Sequence, residues 1–139
     1  MKVFFDTNVL VAAYATHGAC NELLNHCIAR HIIYISDFVL GELEEKLLKK
    51  IKLTCEETAL ILHFLRQNSI IAKEATLKHH IASDHDDDHI LAAAINERVA
   101  CIVSGDKHLL VLKKIAGIPI VTPADFWKLE LMDNISPAP

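Results

Sequence analysis

Short runs of apolar, β-branched or aromatic residues alternate along this chain with longer stretches in which apolar residues recur every three or four positions. The first pattern reads as buried strands and the second as amphipathic helices. Lys2–Phe5 is an apolar run stopped by Asp6-Thr7-Asn8, and Val9–Ala15 continues as a helix that Thr7 or Asn8 can cap, until Gly18 breaks it. Ala19–Arg30 places Cys20, Leu23, Leu24, Cys27 and Ile28 on one helical face, and His31–Ile35 is a second strand. Ser36 or Asp37 opens a helix to about Ile51, with Val39, Leu40, Leu43, Leu47 and Leu48 at helical spacing. Thr54-Cys55-Glu56-Glu57 has the form of a capping box, and Leu60, Ile61, Phe64 and Leu65 give the helix behind it an apolar face. Ser69–Ala72 reads as a third strand, while residues 75–84 favour neither period. Asp86–Arg98 is a helix with an acidic first turn, and Ala100–Val103 is a strand ended by Ser104-Gly105-Asp106. Leu109–Ile115 reads as helix, Ile118–Val121 as a last strand, and Thr122-Pro123 as the start of a C-terminal helix.

Strands that alternate with helices in this way predict an α/β domain with a mainly parallel sheet. The strands are apolar throughout, as expected when helices cover both faces. With 139 residues, 52% of them hydrophobic, the chain suffices for one domain, expected over residues 1–131, with residues 132–139 as a flexible polar, proline-rich tail. The opening Met1–Phe5 is too short for a signal peptide, and no segment approaches the roughly 18 continuous apolar residues of a membrane span, so a soluble cytoplasmic protein is expected. Cys20, Cys27, Cys55 and Cys101 form no Cys-x-x-Cys pair, which argues for buried free thiols over a zinc site or disulfides.

The formal charge is −4, which by itself weighs against a nucleic-acid partner. The charges are unevenly spread, however. Lys46, Lys49, Lys50 and Lys52 form one basic group and Lys107, Lys113 and Lys114 another, although spacing alone reads them as solvated helix faces.

The acids are more informative. In an open parallel sheet, ligands bind beyond the carboxyl ends of the strands. Two strands end in aspartate there, at Asp6 and at Asp106. The helix start Asp84-His85-Asp86-Asp87-Asp88 is a third acid source and Glu42 a fourth. An aspartate in a first turn is favourable for a helix, but capping does not need four acids in five positions. Asp87 shares a helix face with Ile90 and Ala94, which directs it toward the crevice; Asp88, on the face of Leu91, Ala92 and Ile95, competes with it, and Asp84 and Asp86 are peripheral. Converging carboxylates repel unless cations or protons intervene, and hard oxygen ligands suit Mg²⁺ or Mn²⁺. His85 and His89 lie one helical turn apart but imply no third ligand, and His17, His26, His31, His63 and His108 read as surface or edge residues.

These blocks, Val3 through Leu10, Ser36 through Glu42, Asp84 through Ala94 and Ile102 through Lys107, resemble the PIN-domain family over about residues 2–130. The likeness extends to bacterial toxins of toxin–antitoxin systems, the VapC-like ribonucleases. It implies a Rossmann-like, three-layer α/β/α sandwich and a Mg²⁺- or Mn²⁺-dependent ribonuclease. The family's acidic positions fall on Asp6, Glu42, Asp87 and Asp106; Asp88, which competes with Asp87, is a further candidate metal ligand. Asn8 and Ser104 match polar positions near that site that orient a ligand or water, and Lys107 or the lysines around Lys46–Lys52 are expected to meet the phosphate backbone. The resemblance also implies an RNA substrate, a homodimer and an antitoxin protein as partner. His85 departs from the proline common in relatives.

Two other readings compete. A first strand ending in aspartate suits a phosphatase of the haloacid-dehalogenase type, but Asn8 stands where its second aspartate belongs. A non-catalytic PIN-like module binding RNA or protein would have no need of all four acids.

Overall fold

The computed structural model describes residues 1–73 and 85–135, and the side chains of 85, 86, 134 and 135 fall outside it. Asp84, His79 and His80, and the side chains of His85 and Asp86, therefore lie outside the described residues. In chain order the elements are β1 (Lys2–Phe5), α1 (Thr7–Ala15), α2 (Ala19–Arg30), β2 (Ile32–Ser36), α3 (Asp37–Lys49), α4 (Cys55–Asn68), β3 (Ile70–Ala72), α5 (His85–Glu97), β4 (Cys101–Val103), α6 (Lys107–Leu110), β5 (Lys114–Ile115), β6 (Ile118–Val121) and α7 (Pro123–Ile135). Local chemistry sets several of these starts. Ser36 Oγ accepts the Val39 N–H at 3.2 Å at the head of α3, and Thr54 and Glu57 form the reciprocal capping box of α4. The last helix runs from Pro123 to Ile135.

The sheet order is β3-β2-β1-β4-β6-β5. Every pairing is parallel except β5 with β6. The domain is thus α/β with a mainly parallel sheet, as the alternation of patterns predicts. Consecutive residues Val3, Phe4 and Phe5 are all fully buried, and so are Cys101, Ile102 and Val103. Successive strand side chains point to opposite faces, so both faces are covered by helices. Each fully buried Leu, Ile or Phe contributes about 1.5–3 kcal/mol, and that burial fixes β1 at the centre of the domain. Among the described residues no helix is long and apolar enough to cross a membrane.

One expected element is different. Leu109–Ile115 is not a continuous helix: α6 ends at Leu110, Lys113 takes a φ of 60°, and β5 turns back on β6. Ile115 pairs with Ile118 across Ala116 and Gly117, whose φ values are 50° and 79°. Positive φ at both central residues is the type I′ turn that matches strand twist. The apolar spacing of Leu109, Leu112 and Ile115 mimics a helix, but hairpin pairing at the sheet edge overrides it. Alanine in the left-handed region costs about 1–2 kcal/mol, whereas asparagine tolerates it. Ala116→Asn is expected to stabilise the protein by about 0.5–1 kcal/mol, read as a higher melting temperature. A lower one would mean that the turn is not type I′.

Of the cysteines, Cys27 and Cys101 are buried, Cys20 is half-buried and Cys55 is exposed, all as free thiols. The expectation of buried thiols therefore fails at Cys55, the first residue of α4. Burial, with Cys101 and Glu130 adding to it for Cys27, pushes both buried thiols up to about 12. Both therefore stay protonated at pH 8. A chromogenic disulfide reagent should modify Cys55 rapidly in native protein and spare Cys27 and Cys101 until denaturant is added, a pattern that mass mapping of labelled peptides resolves.

Candidate acidic active site

β1 and β4 are adjacent, with Phe5 opposite Val103, so the next residues, Asp6 and Ser104, emerge side by side at the carboxyl edge of the sheet. The Asp6 N–H donates to the Val103 carbonyl at 3.0 Å, and the Ser104 N–H donates to the Val121 carbonyl at 2.9 Å. From β1 the chain builds outward through β2 and β3 on one side, and through β4 and β6 on the other. This is the switch point at which open α/β sheets form a ligand crevice.

Asp6 occupies the N-cap position of α1, yet its side chain makes no capping hydrogen bond. Instead its Oδ2 accepts from Ser104 Oγ at 2.7 Å. Helix capping therefore does not explain this aspartate. The residue is only 3% exposed. Burial pushes its carboxyl above the ordinary value of 3.8; hydrogen bonds from the Ser104 hydroxyl and the Thr7 backbone N–H oppose that shift, and the nearby charges of Asp106 and Glu42 add to it.

Ser104, fully buried, holds two acids in register. Its hydroxyl donates to Asp6 and accepts the Asp106 N–H at 3.0 Å. Asp106 does cap a helix: its Oδ1 accepts the His108 N–H at 2.9 Å at the start of α6. Glu42 reaches the crevice from α3, which packs on α1, and its Oε1 accepts from Thr7 Oγ1 at 2.8 Å. Thr7 is thus a positioning group for Glu42, a role beyond the helix cap that the sequence suggests for it. Its place directly after Asp6, and its hydroxyl, were the available signals.

The structure thus brings Glu42 and Asp106 within electrostatic reach of Asp6. Asp87 comes from α5, which packs on α3 and β3. The His89 ring stacks on Phe38 at 4.5 Å and an interplanar angle of 15°, docking the start of α5 on the start of α3. Asp87 is 6% exposed and shares a buried face with Ile90 and Ala94, whereas Asp88 is half-buried. Among the described residues, no three of these carboxylates offer oxygens within 4.8 Å of one another. As they stand, no three of them meet a single ion directly; Mg²⁺ or Mn²⁺, which keep several waters, take only one or two protein carboxylates each. The all-oxygen donor set fits the same ions.

Asn8 is exposed and its Oδ1 accepts from Lys46 Nζ at 2.9 Å. Lys46, Lys49 and Lys50 line a groove together with Glu42 and Glu45, so this solvated face of α3 borders Glu42. Lys107 is exposed beside Asp106.

A family model described as PIN domain matches residues 2–108. Among solved structures, the chain is similar to VapBC2 from Rickettsia felis, bound to a DNA fragment from its promoter: 22% identity, 86% of this chain and 97% of that chain covered, TM-score 0.61. It is also similar to VapC20 of Mycobacterium tuberculosis, a toxin that cleaves the sarcin–ricin loop: 15% identity, 84% and 98% covered, TM-score 0.58. At these identities the likeness is one of fold. No curated protein matches the sequence significantly.

Proposed function

The chain belongs to the PIN-domain family, and on that premise we propose that it is a metal-dependent endoribonuclease, the toxin of a toxin–antitoxin pair. The observation that carries this reading is Asp6: a buried carboxylate that does not cap its helix, held by Ser104 beside Asp106 and Glu42. Asp6, Asp87 and Asp106 would hold Mg²⁺ or Mn²⁺, with Asp88 at the rim. Such an ion supplies Lewis-acid polarisation of the phosphoryl group and a more acidic water. Glu42, fixed by Thr7, orients a water or completes the ligand set. Ser104 keeps Asp6 and Asp106 in register. Asn8, Lys107 and the lysines of the α3 groove meet the phosphate backbone, whose negative charge they complement despite the overall charge of −4.

The toxin assignment rests on the two neighbours, one a VapBC complex and the other a toxin that cleaves the sarcin–ricin loop. An antitoxin protein and a second copy of the chain are the proposed partners, in the cytoplasm. Leu60 and Phe64, 70% and 42% exposed on one face of α4, offer apolar surface for such contacts. The phosphatase reading falls with the family assignment.

The test is cleavage of end-labelled single-stranded RNA by purified protein with Mn²⁺ or Mg²⁺, with and without chelator, beside Asp106→Asn. Metal-dependent cleavage that the variant lacks supports the reading. Equal cleavage by both proteins, or none with either metal, overturns it.

A further inference from the structure

At the opposite edge of the sheet, three side chains from distant parts of the chain converge. His26 lies in the last turns of α2, His31 caps that helix just before β2, and Glu130 lies in α7. The Nε2 atoms of both histidines are 2.5 Å from the same oxygen, Glu130 Oε2. All three ligand atoms fall within 4.8 Å of one another. Sequence reading placed both histidines at surface or edge positions; the structure makes them half-buried, with side chains 27% and 10% exposed against 14% for Glu130.

We propose that His26, His31 and Glu130 form a second metal site, selective for a borderline transition ion such as Zn²⁺, Ni²⁺ or Co²⁺ and independent of the acidic crevice. A hydrogen-bonded tie between α7 and α2 needs one imidazole. Here two imidazoles point their Nε2 atoms at a single point beside one carboxylate, which is the facial arrangement of two histidines and one acid that such ions bind. The rings are held in place before any ion arrives. The Trp127 ring packs on His26 at 4.6 Å between centroids, and Phe126 meets His31 edge-on at 5.7 Å. On its other side His31 Nδ1 faces the Met1 nitrogen at 3.0 Å. With metal–ligand bonds of about 2.0–2.1 Å, tetrahedral ligand atoms stand about 3.3 Å apart, so loading spreads the N···O pairs by under an ångström. The donor set separates this site from the crevice: imidazole nitrogen favours transition ions, while the all-carboxylate crevice favours hard ones. A bound ion would pin α7 to α2 and so stabilise the fold.

Trp127 is the only tryptophan and lies against a ligand, so it reports occupancy directly. The experiment titrates the full chain with Ni²⁺ and with Co²⁺ in excess Mg²⁺, following Trp127 fluorescence and the visible Co²⁺ spectrum. Wild type and Asp6→Asn should both show saturable quenching at one ion per chain and intense Co²⁺ bands. His26→Gln and Glu130→Gln, checked for folding by circular dichroism, should bind at least about tenfold more weakly. If Glu130→Gln fails to fold, His26→Gln decides, its side chain being the most exposed of the three. Unchanged affinity in His26→Gln, no saturable response in wild type, or loss of the response in Asp6→Asn would overturn the proposal.

Discussion

Asp6→Asn is expected to lose RNA cleavage by more than about 100-fold and yet, without metal, to melt at a higher temperature than the wild type at neutral pH. The loss follows from its place in the site, since removal of groups that merely orient a metal ligand already costs about 10–100-fold. The gain follows from the electrostatics. The folded state holds the Asp6 proton more tightly than the unfolded chain does, because burial and the charges of Asp106 and Glu42 disfavour the anion. A carboxyl with a raised folded pKa contributes stability that is complete below 3.8 and is lost as pH rises through the folded value. At neutral pH the ionised side chain is therefore a burden on the metal-free fold. Asparagine has the same shape, and its amide oxygen can still accept from Ser104. The expected gain is about 0.5–2 kcal/mol, the usual scale of relief at a functional site. The difference in melting temperature should shrink as pH falls toward 4, and it should shrink again when Mg²⁺ or Mn²⁺ stabilises the wild type. A variant less stable than wild type at pH 7 would show that the carboxylate serves the fold.

Ser104→Ala should be damaging in both respects. One fully buried hydroxyl donates to Asp6 and accepts from the Asp106 N–H. Its removal leaves a buried carboxylate oxygen and a backbone donor without that partner, at a cost of about 1–3 kcal/mol. Cleavage should fall by about 10–100-fold, the effect of losing an orienting group, with the change in kcat larger than the change in KM. Denaturant unfolding and steady-state kinetics on one preparation separate the two effects. Full activity in a destabilised variant would reduce Ser104 to a structural link between β4 and α6.

The parallel sheet was legible because its strands are apolar on every residue, a pattern that only double-faced burial produces. Asp6 and Asp106 were legible for a topological reason: each directly follows an apolar strand, and the pairing of β1 with β4 then makes them neighbours. The preference for Asp87 over Asp88 came from helix periodicity and agrees with their burial. The β5–β6 hairpin was hidden because Leu109, Leu112 and Ile115 satisfy a helical period, while the turn that interrupts it carries alanine at one of its two left-handed positions. The convergence of His26, His31 and Glu130 was hidden for a different reason. No local pattern reports that α7 packs on α2, and Glu130 stands far from both histidines in the sequence.

The small β5 strand also bears on how copies of the chain can meet. A parallel sheet that ended at β6 would leave a row of unpaired backbone groups, the usual template for runaway strand-to-strand growth. Two residues of antiparallel pairing occupy that row, Lys113 and Lys114 place positive charge beside it, and Pro119 removes an amide donor from β6 itself. Strand-to-strand growth across this border of the sheet is thereby disfavoured.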